Sequence, residues 1–278
     1  MYKFTPYFRP MVWGSELWVI SAYPGHESVV AEGPEKGKKI TDIWPGMFPL
    51  LIKFIDAHQD LSIQVHPDDA LAMKRYGLNG KTEMWYVIGG APGAHLYSGI
   101  REQIDPDKYV ELVKNGSIVD VLADHVVKPG DVFFLPAGRI HAICGGCYLA
   151  EIQQTSDLTY RIYDYNRPGL DGKPRQLHIE EARDAIDYNV YPEYRTEYER
   201  KADSEVELVK CPYFTTSLLE LTEPFGKKVD SSFLVVICTE GKAVVNGLTL
   251  KAGEAGLLID EDLEVVPDGP VKLLTTHV

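Results

Sequence analysis

The chain has 278 residues, of which 45% are hydrophobic, so it is long enough to bury one large core or two ordinary ones. Its formal net charge of −13 argues against nucleic acid and anionic membrane surfaces as partners, because both would repel it at long range. The sequence lacks a run of about eighteen apolar residues and a basic-then-apolar start, so we expect a cytoplasmic protein.

The cysteines do not form the pattern of a disulfide framework. Cys144 and Cys147 have the spacing of half a zinc knuckle, but Cys211 and Cys238 supply no second pair. We therefore predict that all of them are buried or idle thiols.

Short apolar runs separated by Gly, Pro, Asn and Asp dominate the chain, as is typical of strands in a sandwich or a barrel. The clearest predicted strands are residues 50–55, 61–66, 83–88, 132–135, 148–153 and 233–237. Helical patterns are confined to residues 68–76, 105–114 and 179–188. The first of these follows Pro67 and stops at Gly77, residues that favour a helix start and a helix end. The predicted fold class is mainly β, with a few short peripheral helices.

An internal similarity divides the chain into two parts. The run Lys128-Pro-Gly-Asp-Val-Phe-Phe-Leu-Pro136 resembles Lys251-Ala-Gly-Glu-Ala-Gly-Leu-Leu-Ile259, and an apolar strand precedes each run. We predict two related β-barrels, at residues 1–195 and 196–278, with a helical excursion at 105–123 in the first. The tyrosine-rich, charged residues 182–201 are the predicted connection.

The two halves differ at the positions that matter for metal binding. Counted from the shared glycine, His141 corresponds to Glu264, and the strand alignment matches Glu83 with Ser232. The second half has no histidine before His277. We therefore predict one metal ion per chain, held by the first barrel, with the second barrel as a structural partner.

The predicted metal ligands are Gln64, His66, Glu83 and His141. Strand alternation over residues 61–66 places Gln64 and His66 on one face, together with Ser62. Glu83 begins the next apolar strand, and His141 follows a turn that redirects the chain into the barrel. Each residue alone would be read as a polar side chain with its own hydrogen-bond partner. The combination of all four favours a shared metal site.

The donor types indicate which metal this site would hold. Two imidazoles, one carboxylate and one amide oxygen form a mixed nitrogen and oxygen set that suits zinc. Spacing alone does not exclude Mn, Fe, Co or Ni. One carboxylate with three neutral ligands leaves a dication a net charge of about +1, so the ion would remain an effective Lewis acid.

Several motifs resemble the type I mannose-6-phosphate isomerases of the cupin superfamily. The matching runs are Leu51-Ile-Lys-Phe-Ile-Asp56, Leu61-Ser-Ile-Gln-Val-His-Pro-Asp-Asp69, Lys81-Thr-Glu-Met-Trp-Tyr86 and Gly138-Arg-Ile-His-Ala142, with Trp13-Gly14 near the start. The resemblance implies two cupin (jelly-roll) barrels. The short helical excursion is similar to the compact bacterial form rather than to members with a large inserted helical domain.

The resemblance also implies site residues and a reaction. The family's zinc ligands fall on the four residues chosen above, and its essential arginine falls on Arg161. Its active-site lysines fall on Lys53 and Lys81, and Asp157 matches an active-site acid. The predicted catalytic residues are therefore Arg161, Lys53, Lys81 and Asp157. The predicted substrate-binding residues are Lys53, Lys81, Arg161, Trp13 and Ser62. The implied reaction interconverts mannose 6-phosphate and fructose 6-phosphate through an enediol.

Two questions stay open at this level. The proton carrier could be Asp157, a metal-bound water or a lysine such as Lys53 with a pKa depressed by burial. The metal could also serve a non-catalytic, sugar-sensing protein, or an oxidase or dioxygenase of the same fold. The oxidase interpretation leaves the cationic residues unexplained. A small sugar phosphate is the expected partner molecule, and either a monomer or a homodimer fits the sequence.

Overall fold

The computed structural model describes all 278 residues, and most of its regular structure is β-strand. The strands are β1 Tyr2–Thr5, β2 Tyr7–Met11, β3 Gly14–Ile20, β4 Val29–Glu32, β5 Leu50–Ala57, β6 Ile63–Val65, β7 Glu83–Gly90, β8 His95–Ile100, β9 Leu122–Val126, β10 Val132–Leu135, β11 His141–Ile143, β12 Cys147–Gln154, β13 Tyr160–Tyr163, β14 Glu205–Lys210, β15 Thr215–Leu221, β16 Phe225–Lys227, β17 Phe233–Glu240, β18 Lys242–Val245, β19 Leu248–Lys251, β20 Glu254–Ile259, β21 Leu263–Pro267 and β22 Val271–His277. The helices are α1 Ile40–Ile43, α2 Asp69–Tyr76, α3 Pro106–Asn115 and α4 Ile179–Ala185, and a 3-10 turn spans Ile118–Val121. The predicted mainly β class is confirmed, and none of the helices has the length and apolar character needed to cross a membrane.

Capping groups set the ends of the first two predicted helices. The Asp68 carboxylate accepts a hydrogen bond from Leu71 N at 2.8 Å, and Gly77 closes α2 in the left-handed conformation. Asp105 caps α3 in the same way, by accepting from Lys108 N at 2.7 Å. Both helices therefore match their predicted ranges to within one residue.

Helix α4 ends three residues earlier than predicted, at Ala185 instead of residue 188. The amide of Asp187 donates to Gly138 O at 2.8 Å instead of to a carbonyl one turn back in the helix. A tertiary hydrogen bond thus replaces the next helical one, which the local sequence pattern could not indicate.

The chain divides into two compact units, and each consists of more than one segment. The central unit comprises residues 8–16 and 55–195, and the terminal unit comprises residues 1–7, 17–54 and 196–278. One break between the two units lies between residues 195 and 196. Residues 1–7 and 17–54, however, group with the C-terminal part, because β1 pairs with β20 and β4 pairs with β1. The predicted range 1–195 therefore does not form one compact unit.

Two sheets carry the central unit. Their strand orders are β10-β7-β12-β5-β3-β2 and β13-β6-β11-β8-β9. A hydrophobic core that includes Trp85, Leu96, Phe133 and Ile143 draws residues from both sheets. The sheets remain separate in strand order, so the predicted barrel is not a closed ring of hydrogen-bonded strands.

Helices cover the other face of the five-stranded sheet. Ile63 and Val65 of β6 share a hydrophobic cluster with Tyr109 of α3 and Ala182 of α4. Because side chains alternate along a strand, Gln64 points to the opposite face. The helix layer therefore fixes which face of this sheet receives the polar residues.

The terminal unit has a seven-stranded sheet of order β14-β15-β22-β17-β20-β1-β4 and a four-stranded sheet of order β16-β21-β18-β19. Its register revises one predicted correspondence between the halves. Leu135 pairs with Glu83 in the central unit, and the equivalent Leu258 pairs with Leu234. The counterpart of Glu83 is thus the fully buried Leu234, rather than Ser232. At the position aligned with His141, Glu264 is exposed.

Candidate metal centre

A row of directly paired residues crosses the five-stranded sheet. In the register of this sheet, Arg161 of β13 faces Gln64 of β6, Gln64 faces His141 of β11, and His141 faces Ser98 of β8. Directly opposed residues of antiparallel strands project to the same side of the sheet. Sheet pairing therefore brings together three of the predicted site residues that lie far apart in the sequence.

His66, Glu83 and His141 form the core of the site. One ligand atom from each lies within 4.8 Å of the others. Glu83 Oε2 is 3.6 Å from His66 Nε2, and Glu83 Oε1 is 3.3 Å from His141 Nε2. All three side chains are buried, with exposed fractions of 2% or less. These residues form a group that can hold a metal ion.

Backbone carbonyls orient both imidazoles toward the same point. His66 Nδ1 donates to Leu158 O at 2.9 Å, and His141 Nδ1 donates to Arg139 O at 2.8 Å. With the proton on Nδ1, the lone pair of each ring lies on Nε2, the nitrogen that faces Glu83. A hydrogen bond of this kind behind a ligating histidine is the usual way in which proteins fix the tautomer of a metal ligand.

The charge states also suit a metal. Burial, followed by the nearby charge of Lys81, lowers the pKa of His66, and burial lowers the pKa of His141 to about 3. Burial raises the pKa of Glu83, but Lys81 and both histidines outweigh it and hold that pKa well below its usual value. The site therefore presents two neutral imidazoles and one carboxylate at neutral pH, which are the forms that bind a cation.

Glu83 provides the strongest structural test of a metal site. Its side chain is fully buried, and neither carboxylate oxygen has a hydrogen-bond partner. Lys81 forms an ion pair with Oε2 but does not meet the geometry of a hydrogen bond. Burying a carboxylate is costly unless its charge is compensated, and a bound cation would add to the ion pair with Lys81. The residues present therefore fit a bound cation.

Gln64 lies beside this group as a fourth donor. Its amide Nε2 is 3.2 Å from His141 Nε2. A half turn of the amide about its last side-chain bond places Oε1 at this position without moving any other atom. The amide can therefore offer an oxygen, and its role as a metal ligand stays a prediction.

Lys81 connects the metal group to a carboxylate that the sequence patterns did not single out. Lys81 Nζ is 3.1 Å from His66 Nε2 and 3.8 Å from Glu151 Oε1. Glu151 is buried, and its Oε2 accepts a hydrogen bond from Trp85 Nε1 at 2.9 Å. One signal was available, because Glu151 is the only charged residue in the apolar strand Cys147–Gln154.

Arg161 lies in a cationic part of the central unit. Its Nη1 donates to Gln176 O at 2.9 Å, while its buried Nε has no hydrogen-bond partner. Burial, followed by the nearby charge of Arg175, lowers the pKa of Arg161. Arg175 and Arg167 both bind the Asp164 carboxylate, so one acid is shared by two cations and the region keeps a positive balance.

Two other predicted residues of this unit have structural partners. Asp157 forms an ion pair with Arg9, at 3.1 Å between Oδ2 and Nη1. Trp13 is 3% exposed and packs in the hydrophobic core between the sheets. Trp13 thus contributes its ring to that core, and its contact with a substrate stays a prediction. Ser62 is buried just before β6.

Lys53 belongs to the terminal unit, in the part of β5 before residue 55. It is 3% exposed, and its Nζ lies 5.1 Å from the centroid of the Trp18 ring, within the range of a cation–π contact.

The four cysteines are free thiols, as predicted, and burial raises the pKa of Cys144 and of Cys147.

The lowered histidine pKa values predict acid sensitivity of the metal-free protein. Below about pH 6.5, His66 and His141 become protonated in the unfolded chain but stay neutral in the folded chain. The free energy of unfolding therefore falls as the pH drops from about 6.5 toward 3. His141 contributes a slope of up to about 1.4 kcal/mol per pH unit in this window.

Urea unfolding of metal-free protein at pH 7, 6 and 5 measures this slope. His141→Gln should reduce it, whereas His58→Gln, at a side chain that is 71% exposed, serves as the matched control. Equal slopes for the wild type and His141→Gln would show that His141 is not kept neutral by the fold.

Comparison with known proteins identifies relatives of this chain. The model of the family described as phosphomannose isomerase type I, catalytic domain, matches residues 10–88. Mannose-6-phosphate isomerase ManA of Bacillus subtilis is 32% identical over 269 residues, which cover 86% of this chain and 85% of that protein. Mannose-6-phosphate isomerase of Streptococcus mutans is 32% identical over 281 residues, with 94% and 88% covered.

Solved structures give the same result. The crystal structure of mannose 6-phosphate isomerase from Bacillus subtilis superposes with a TM-score of 0.91 at 31% identity, covering 100% of this chain and 99% of that one. A variant of phosphomannose isomerase from Salmonella typhimurium superposes with a TM-score of 0.75 at 17% identity, covering 100% and 99%, and this similarity shows the fold alone. With about a third of its residues identical over most of both chains, this chain belongs to the type I mannose-6-phosphate isomerase family and is an isomerase.

Proposed function

We propose that this chain is a zinc-dependent aldose–ketose isomerase that interconverts mannose 6-phosphate and fructose 6-phosphate through an enediol. The single observation that carries the proposal is the buried Glu83 carboxylate between His66 and His141, with Lys81 and Glu151 beside it. Such a group combines a cation site with proton-transfer residues in one buried position. The proposal places the enzyme in the cytoplasm as a monomer or homodimer.

Gln64, His66, Glu83 and His141 would hold the zinc ion. Two imidazoles with oxygen ligands match the donor types of catalytic zinc sites, and a single anionic ligand leaves the site a net charge of about +1. When bound, zinc would supply Lewis-acid stabilisation of the negative charge that develops on the sugar oxygens during enolisation. The terminal unit has Leu234 and Glu264 at the corresponding positions, so we propose one zinc per chain.

The reaction also needs a residue that takes a proton from one carbon of the sugar and returns it to the neighbouring carbon. His66 and His141 are unsuited, because each has one nitrogen bonded to a carbonyl and the other directed at the cation site. Glu151 is a carboxylate fixed by the Trp85 indole and adjacent to Lys81. We therefore add Glu151 to Asp157 and Lys53 as a candidate base, and favour it because it lies beside the metal group.

Substrate phosphate needs cationic or hydrogen-bonding groups in a protein with a net charge of −13. Arg161 is suited to this role, because its guanidinium keeps an Nε–H without a partner and lies in a region of net positive charge. Arg161 is paired across the sheet with Gln64, one of the proposed metal ligands. Lys81, which lies beside Glu83, is proposed as a further cation of this site, and Lys53 is retained as a proposed substrate-binding cation.

One prediction of this proposal concerns the metal. Protein stripped with a chelator should not convert mannose 6-phosphate, and one zinc ion per chain should restore turnover in a coupled assay. Glu83→Gln should lower zinc-dependent turnover by more than about 100-fold, because it removes the only anionic ligand. Glu264→Gln, at an exposed glutamate of the terminal unit, is the matched control and should leave turnover unchanged.

The same assay separates the competing functions. A protein that binds zinc and sugar phosphate without converting either isomer would be a sensor, and the isomerase proposal would then be wrong. Glucose 6-phosphate, which differs from mannose 6-phosphate only at carbon 2, tests whether the site distinguishes the configuration at the reacting carbon.

A second prediction concerns Arg161. Arg161→Met keeps most of the side-chain volume but removes the charged donors, so kcat/KM for mannose 6-phosphate should fall by about 30-fold or more, the scale of losing one charged partner of an anion. Arg101→Met changes an exposed arginine of the same unit and should leave kcat/KM within about twofold. Equal losses in both variants, or none in either, would contradict a role for Arg161 in substrate binding.

A further inference from the structure

One turn, residues 136–140, is hydrogen-bonded to both histidines of the metal group. Gly138 N donates to His66 O at 2.9 Å, and Arg139 O accepts from His141 Nδ1 at 2.8 Å. Arg139 N also donates to Pro136 O at 3.0 Å, which closes the turn. A displacement of this turn would therefore change the orientation of His141 and the position of His66, which directly follows β6.

The Arg139 side chain is held by two aromatic rings. Its guanidinium carbon lies 4.8 Å from the Tyr191 ring centroid and 4.6 Å from the Tyr194 ring centroid. The two rings are 6.0 Å apart and nearly perpendicular. Both distances lie within the range of cation–π attraction, which is strongest where water is partly excluded. Two tyrosines that follow helix α4 thus hold the Arg139 guanidinium between their rings; we call this pair, Tyr191 and Tyr194, the clamp.

The tyrosines themselves are fixed by hydrogen bonds. Tyr194 Oη donates to Ile100 O at 2.7 Å and accepts from Tyr191 N at 3.1 Å. Tyr191 Oη donates to Asp187 Oδ2 at 2.8 Å, and Asp187 N donates to Gly138 O at 2.8 Å. The bonds therefore run from the tyrosines back to the turn that Arg139 belongs to.

Gly99 shows how closely Tyr194 is seated. A Cβ atom added at Gly99 would come within 2.1 Å of Tyr194 Cε1, so the ring packs directly on the glycine backbone. Gly99 N in turn donates to Ile140 O at 2.8 Å, the last residue of the turn. Since any larger residue at 99 would displace the ring, the clamp has little freedom to move.

We infer that Arg139 is a positioning residue of the metal centre, acting through the turn at 136–140 that orients His141. The inference rests on the proposed metal-dependent function. The Arg139 guanidinium lies over the Tyr191 and Tyr194 rings, and its backbone carbonyl accepts the hydrogen bond from His141. Residues that hold metal ligands in orientation typically change metal affinity by about 10- to 100-fold when they are altered. Without the guanidinium, the rings no longer attract the turn, and His141 loses its fixed orientation.

The test compares three variants of the full chain. Arg139→Met removes the charge and keeps most of the volume, and Arg139→Lys keeps a cation for the rings. Arg195→Met is the matched control, because Arg195 also lies over a ring, that of Phe133 at 5.5 Å, but bonds Val126 O and Asp131 instead of the turn. The measurement is the zinc dissociation constant, obtained by competition with a chromophoric chelator on protein shown to be folded by circular dichroism.

We expect Arg139→Met to weaken zinc binding by about 10-fold, at the lower end of the range for such residues. Arg139→Lys should recover most of the affinity, and Arg195→Met should match the wild type. In metal-free protein, a nitrogen–proton NMR correlation of the His141 ring should show Nδ1 protonated in the wild type and a mixture of tautomers in Arg139→Met. This readout needs neither zinc nor turnover.

If Arg139→Met does not fold, Tyr191→Leu provides a second test of the same contact. Tyr191 is 40% exposed and therefore tolerates substitution better than the buried Tyr194. It removes one ring and should weaken zinc binding in the same direction. Wild-type zinc affinity and an unchanged His141 tautomer in the folded variants would overturn the inference. A wild type that binds zinc but does not isomerise sugar phosphates would refute the proposed function alone, because the affinity comparison does not use turnover.

Discussion

The central constraint in this structure is the burial of a carboxylate between two neutral imidazoles. Glu83 is fully enclosed and has no hydrogen bond to either oxygen, yet its pKa is held well below the usual value. A fold that maintains such a group without a ligand would do so at a considerable cost in stability. The arrangement is explained if the group exists to bind a cation, and the orientation of the two histidine rings agrees with that purpose.

The rest of the central unit can be understood as support for this group. Helices on the outer face of the five-stranded sheet fix which way β6 faces, and sheet pairing aligns Gln64 with His141 and Arg161. The Trp85 indole holds Glu151 next to Lys81. In a chain of net charge −13, positive charge is concentrated in the arginines near Asp164, whereas Lys81 lies between Glu83 and Glu151.

Local patterns in the sequence predicted the parts of the site that depend on local structure. Strand alternation placed Gln64 and His66 on one face, and caps at Asp68 and Gly77 bounded α2, because both effects act within a few residues. Sheet register is a long-range property, so the pairing of His141 with Gln64 followed only from the structure. The same limit explains why Glu83 was matched with Ser232, where the register gives Leu234. Glu151 was not singled out by the sequence patterns, although it is the only charged residue of β12, and the packing of Trp13 in the core was seen only in the structure.

Zinc K-edge X-ray absorption on the full, zinc-loaded chain tests the central claim most directly. The account predicts a first shell of nitrogen and oxygen only, at about 2.0–2.2 Å, with the outer-shell scattering of two imidazoles. His141→Gln should reduce that imidazole scattering to one ring. A sulfur shell at about 2.3 Å, as Cys144 and Cys147 would produce, or a shell without imidazole would contradict it.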